Sequence, residues 1–137
     1  MLYPSTLPNL DRLWSDGNPH NMERKLRDLI EPARTVGVCA YYLQLLTQIA
    51  RAQAQQGRYA AGHATLDEVA AQLTDGLQAA RVRYLLERGR ILQLEARRDE
   101  ADAALLEARR VAVASGYYNV ADAATQLLEA ARQKIAS

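Results

Sequence analysis

QQGRYAAGHATLDEV, residues 55–69, decides how the rest of the chain is read. Gly57 is followed by Tyr59, then by Gly62, Leu66 and Val69 at intervals of four and three. A residue suited to a left-handed turn thus stands just ahead of an apolar stripe at helical spacing. A single occurrence would mark one helix start. Recurrence in register would mark a repeated unit.

The pattern recurs. Gly17 and Gly57 are 40 residues apart, and one further period lands on Ala96. After Gly17 come Met22, Leu26 and Leu29; after Ala96 come Ala101, Leu105 and Ala108. Each triplet keeps the same distance from its turn. A second family of glycines, Gly37, Gly76 and Gly116, is spaced by 39 and 40 residues. Each of these is expected to end one helix and precede the next with a left-handed residue. Two interleaved turn families on one period are the mark of stacked helical hairpins.

Between the turns the apolar residues recur at helical spacing and not in strand alternation. The reading predicts helices over 20–36, 38–56, 59–74, 77–95, 98–115 and 119–135, with a short helix at 8–16 before them. Pro4, Pro8 and Pro19 punctuate the N-terminal segment, and Pro32 is expected to kink or end the 20–36 helix near Glu31. The domain organisation is one unit over 1–137: an irregular first hairpin (8–36), two repeats (38–74 and 77–115) and a last helix (119–135). In that helix Ala121, Ala124, Leu128, Ala131 and Ile135 share one face and read as the cap of the stack. Gln126, Glu129, Arg132 and Gln133 make its solvated side.

Composition agrees with this class. The chain has 137 residues, 49% hydrophobic and 24% charged, which suits one globular domain. Alanine is abundant and phenylalanine absent, which favours closely packed helices over an all-β fold. The excess of arginine over lysine, with the alanine, hints at a GC-rich bacterial genome. Net charge is +1, from 17 basic and 16 acidic residues, so direct binding of nucleic acid is not expected. No apolar run reaches the ~18 residues that span a bilayer, so no membrane partner is expected. A secretory signal is not recognisable at the N-terminus, and a cytoplasmic location is expected. Cys39 is the single cysteine, which excludes an intramolecular disulfide.

These residues resemble the tetratricopeptide repeat family, in the longer type of about 40 residues found in bacterial regulators and signalling proteins. The resemblance covers about residues 10–135. QGRY at 56–59 looks like the family's turn. Gly62, Leu66 and Val69 match its second helix, and Leu46, Ile49 and Ala50 match the large, large, small pattern of its first. Leu85, Arg88 and Gly89 repeat that pattern, with Arg88 a departure. The family's first-helix tryptophan and final proline are missing. The resemblance implies an all-α solenoid of antiparallel hairpins in a right-handed superhelix. It also implies a protein-binding scaffold whose concave groove is lined by the first helix of each pair.

That implication selects surface residues. Facing away from the Leu46, Ile49 and Ala50 stripe are Gln44, Thr47, Arg51 and Gln55. Thirty-nine residues on are Arg83, Leu86, Arg90 and Leu94. Gln44, Thr47, Arg51, Arg83, Leu86 and Arg90 are the candidate groove residues. Arg51 and Arg90 would present two guanidinium forks, suited to a carboxylate or phosphate. The alternative for each arginine is pairing with a nearby carboxylate; Glu87 and Glu95 are in helical reach. The lysine- and asparagine-rich clamp of the family's chaperone-tail binders is missing, so that specificity does not carry over.

No catalytic constellation emerges. His20 and His63 with Cys39 are too few for a zinc site, and no cofactor or metal is implied. Cys39 is expected to be buried as a small hydrophobe. Asp67–Glu68 and Asp99–Glu100 are placed near helix starts, where carboxylates favour the dipole. Of Tyr41–Tyr42 and Tyr117–Tyr118, one member each is expected to be buried. The basic pairs Arg97–Arg98 and Arg109–Arg110 read as solvated helix faces.

The favoured function is therefore a non-catalytic module that binds a protein or peptide partner. A second reading is a ligand-sensing or self-associating regulatory domain of a larger bacterial regulator. A third is a homodimer through the open N-terminal end, where Leu10, Leu13 and Trp14 would be exposed.

Overall fold

The computed structural model describes residues 8–15, 17–36 and 39–136. The described chain is helical, and no strand occurs in it. A 3-10 helix, Leu10–Ser15, comes first. Seven α-helices follow: α1 Pro19–Arg27, α2 Ile30–Val36, α3 Cys39–Gln55, α4 Tyr59–Gln72, α5 Gln78–Leu94, α6 Arg98–Ser115 and α7 Tyr118–Ala136.

The turns are set by backbone chemistry. Gly57, Ala96 and Gly116 are left-handed, with φ of 80, 61 and 82°. After each, the next amide reaches back five residues: Arg58 to the Gln53 carbonyl, Arg97 to Leu92 and Tyr117 to Ala112. This closes three helix ends in the same Schellman arrangement. Gly76 differs: its φ is not in the left-handed region. There α4 ends with Leu73 in extended backbone, so the chain leaves the helix without an αL residue. Gly17 also lacks a positive φ, and the start of α1 is set by Asn18, whose side chain accepts from the His20 and Asn21 amides. Gly37 and Pro4 lie outside the described residues.

Pro32 acts earlier than expected. A proline ring excludes the carbonyl four residues back, here that of Asp28. The helix accordingly stops at Arg27 and restarts at Ile30, leaving Pro32 in the first turn of α2.

The three-residue connections after α3 and α5 send the chain straight back, so α3 with α4 and α5 with α6 form antiparallel pairs. Thr65 in α4 donates to Gln53 in α3, 12 residues back across that turn. The stripes meet where side chains are small. A Cβ on Gly62 would stand 3.1 Å from the Ala50 carbonyl and 3.0 Å from Ile91. A Cβ on Gly89 would stand 2.6 Å from the Leu105 side chain. Met22, Leu26, Gly62, Leu66, Val69, Ala101, Leu105 and Ala108 are all buried; Leu29 is half-buried.

Across pairs, α3 packs on α5 and α5 on α7. Ala80 joins the cluster of Leu43, Leu45, Leu46 and Ile49, while Ile91 joins Ala50, Ala54 and Leu66. The N-terminal part of α3 thus meets the N-terminal part of α5, and the two helices run side by side. A third cluster unites Leu105, Ala108 and Ala112 of α6 with Val120, Ala121 and Ala124 of α7. The side chain of Ile135 is outside the described set.

The N-terminal segment is tied down. Leu10 is buried, and Leu13 and Trp14 pack against the first cluster, so this end does not expose the apolar residues expected there. Glu23 of α1 accepts from Arg27 (2.7 Å), Gln56 (2.9 Å) and Arg58 (2.8 Å), which joins α1 to the α3–α4 turn. Burial would raise the Glu23 carboxyl, but these donors outweigh it and hold it below the usual range.

Several local expectations are corrected. Cys39 is exposed, because it is the first residue of α3 and precedes the packed stripe that begins at Leu43. Asp67 and Glu68 lie more than two turns into α4, not at its start, and Asp67 pairs with Arg88 at 2.7 Å. Neither tyrosine of either pair is fully buried; Tyr118 is exposed, and the other three are half-buried.

The turns give a reciprocal test. Ala96 carries a Cβ in a conformation that costs L-residues roughly 1–2 kcal/mol, whereas Gly57 does not. Ala96→Gly is expected to raise stability by about 0.5–1 kcal/mol, and Gly57→Ala to lower it by about 1 kcal/mol, in urea unfolding followed by circular dichroism.

Candidate functional site

A recess of about 610 Å³ opens on one side of the molecule. Its walls come from the 3-10 helix (Asp11, Trp14), α3 (Arg51), α5 (Arg83, Leu86, Glu87, Arg90) and α7 (Val120, Ala123, Leu127 and their neighbours). Among the described residues, α1, α2, α4 and α6 contribute nothing to it.

The register explains why these residues meet. With α3 and α5 side by side, residues 39 apart come into contact: Gln48 Nε2 lies 3.5 Å from Glu87 Oε2. The same offset sets Arg51 beside Arg90 on one face. The 3-10 helix lies along the same face of α3, held by Trp14 Nε1 donating to Gln48 Oε1 at 2.8 Å and by Tyr41 Oη donating to the Pro8 carbonyl at 2.6 Å.

Glu87 is the most deeply placed charge, with 1% of its surface exposed. Arg90 Nε donates to it at 2.8 Å. Arg83 makes a two-pronged pair with Asp11, both bonds at 2.9 Å. Arg51 is different. Its guanidinium lies over the Trp14 ring, 3.9 Å from the centroid. Its Nε is buried without a hydrogen-bond partner, and no carboxylate of the described residues lies within ion-pair distance. Burial pushes the Arg51 guanidinium below its usual range; the charge of Glu87 opposes this, and that of Arg90 adds to it.

Four of the six candidate residues, Arg51, Arg83, Leu86 and Arg90, therefore line one recess. Thr47 does not. It is fully buried, with Oγ1 donating to the Gln44 carbonyl at 2.6 Å, because the 3-10 helix and α5 flank that side of α3. Gln44 is half-buried and outside the recess, and Gln55 and Leu94 are exposed. The carboxylate-pairing alternative holds for Arg90, with Glu87; Glu95 instead meets His63. Sequence reasoning missed Asp11 and Trp14, which arrive from the far end of the chain, and the α7 wall. The spacing of Val120, Ala123 and Leu127, on a face beside Ala121, Ala124 and Leu128, is the signal that marked the latter.

The histidines are accounted for structurally. His20 is exposed at the start of α1. His63 Nδ1 lies 2.7 Å from Arg88 Nη1, and its Nε2 lies 2.6 Å from Glu95 Oε1. Arginine can only donate, so Nδ1 carries the lone pair and Nε2 the proton. Arg88 continues to Asp67 and to the Tyr84 hydroxyl, which fastens α4 to α5. Among the described residues no three of His, Cys, Asp and Glu converge as metal ligands, and no helix is long and apolar enough to cross a membrane.

Neither a protein-family model, nor a curated protein, nor a solved structure matches the chain.

Trp14 supports both the recess and the fold. Trp14→Ala removes the shelf under Arg51 and the partner of Gln48, and is expected to destabilise by about 2–3 kcal/mol. Trp14→Phe keeps a ring face for the cation and is expected to cost only about 1 kcal/mol in the same denaturation experiment.

Proposed function

We propose that the chain is a non-catalytic protein- or peptide-binding module. It is read as a short stack of helical hairpins of the tetratricopeptide kind, with the recess as its concave groove. The observation that carries this reading is the origin of the recess walls. They come only from the 3-10 helix, α3, α5 and α7, the elements that lead the hairpins or follow the last one. A stack of hairpins whose leading helices run side by side presents one face of each to a common groove. The groove combines guanidinium donors with an apolar wall, the mixture that marks the energetic centre of protein interfaces. A volume of about 610 Å³ fits a few residues of an extended or helical segment. The exposed free thiol of Cys39 is compatible with a reducing compartment such as the cytoplasm.

The test is partner capture from a lysate of the source organism, comparing wild type with Arg51→Ala, Arg83→Ala. This pair leaves the buried Glu87 with its Arg90 partner, so the variant is expected to fold, which circular dichroism checks. The reading expects a partner held by wild type and released by the folded variant, with an affinity loss of at least about tenfold. Equal retention by both would remove the groove.

A further inference from the structure

We propose that the recess is an anion subsite for a single carboxylate carried beside an apolar group, with Arg51 as its main donor. The proposal rests on the groove reading and names what the groove takes.

Charge is the first argument. The recess holds three guanidinium groups, Arg51, Arg83 and Arg90, and two carboxylates, Asp11 and Glu87. Arg83 is engaged by Asp11 and Arg90 by Glu87. Arg51 has no such partner among the described residues, so one positive charge is left over. A monoanion balances it, whereas a phosphate dianion overshoots.

Donor geometry is the second. A guanidinium donates in its own plane. Arg51 gives one face to Trp14, which leaves its in-plane N–H groups unused by the stack. Its Nε already stands buried and unsatisfied, a condition that native interiors rarely leave standing without a ligand, ion or water. A carboxylate offers two coplanar oxygens to such a fork.

The opposite wall supplies the third. Leu86, Val120, Ala123, Leu127 and Ala130 line the recess across from the arginines. They can bury an apolar group attached to the carboxylate and give a polar one nothing. Two sources share this chemistry: the C-terminus of a peptide ending in an apolar residue, and a free apolar acid. Asp11 is then an internal competitor, a carboxylate of the chain that already occupies Arg83.

Trp14 is the single tryptophan and lies under Arg51, so its fluorescence reports on the subsite. The full chain is titrated with N-acetyl-leucyl-leucine, its C-terminal amide, hexanoate and inorganic phosphate, with calorimetry in parallel. The dipeptide acid or hexanoate is expected to give a saturable change that added salt weakens, and the amide is expected to bind at least about tenfold more weakly. Saturation by the dipeptide acid alone assigns a chain terminus; equal or tighter binding of hexanoate assigns a free acid. Arg51→Gln, read by calorimetry, is expected to lose about tenfold or more. Asp11→Asn is expected to gain about threefold, an outcome that misfolding cannot imitate. Amide binding equal to acid binding would overturn the subsite and leave the groove standing. So would tightest binding by phosphate, or affinities that neither substitution moves. Silence from every probe would also overturn it, and the groove would then be judged by partner capture alone.

Discussion

A carboxylate with 1% exposure must find its compensation inside the protein, and Glu87 draws a set of residues together to supply it. Arg90 comes from one turn on along α5, and Gln48 from the neighbouring α3. Gln48 in turn receives the indole N–H of Trp14, which fixes the 3-10 helix against α3. Arg51 stacks on that same indole, within the field of Glu87. One buried negative charge thereby sets the alignment of α3 and α5, the seat of the N-terminal segment and the position of the least compensated cation. The recess is the outer face of this arrangement.

Close packing makes the arrangement possible. Gly62 sits against the Ala50 carbonyl and Gly89 against Leu105, both at distances that leave no room for a methyl group without a shift. Such contacts fix the rotation of each helix within its pair, and so decide which residues face outward. The functional surface depends on glycines that never touch it.

Much of the fold was legible because turn chemistry and helical spacing were in register. Gly57 and Ala96 occupy the same turn 39 residues apart, and the period rather than the residue type identified Ala96. The same rule failed at Gly76, where the chain leaves α4 in extended backbone, and at Pro32, whose ring acts on a carbonyl four residues earlier. Within the site, the 39-residue offset correctly paired Arg51 with Arg90 and brought in Arg83 and Leu86. It misplaced Thr47, since a helical face read in isolation does not show how much of it neighbours cover. Asp11 reaches Arg83 across 72 residues, and no local pattern encodes a contact of that range.

The central claim is that Glu87 makes the burial of Arg51 tolerable. A double-mutant cycle between Glu87→Gln and Arg51→Gln, read by chemical denaturation, tests it most directly. The account expects Glu87→Gln to cost at least about 0.5–1 kcal/mol less when Arg51 is already glutamine, since no excess cation then remains to be compensated. Equal costs in the two backgrounds would mean that the two charges are energetically independent, and would contradict it.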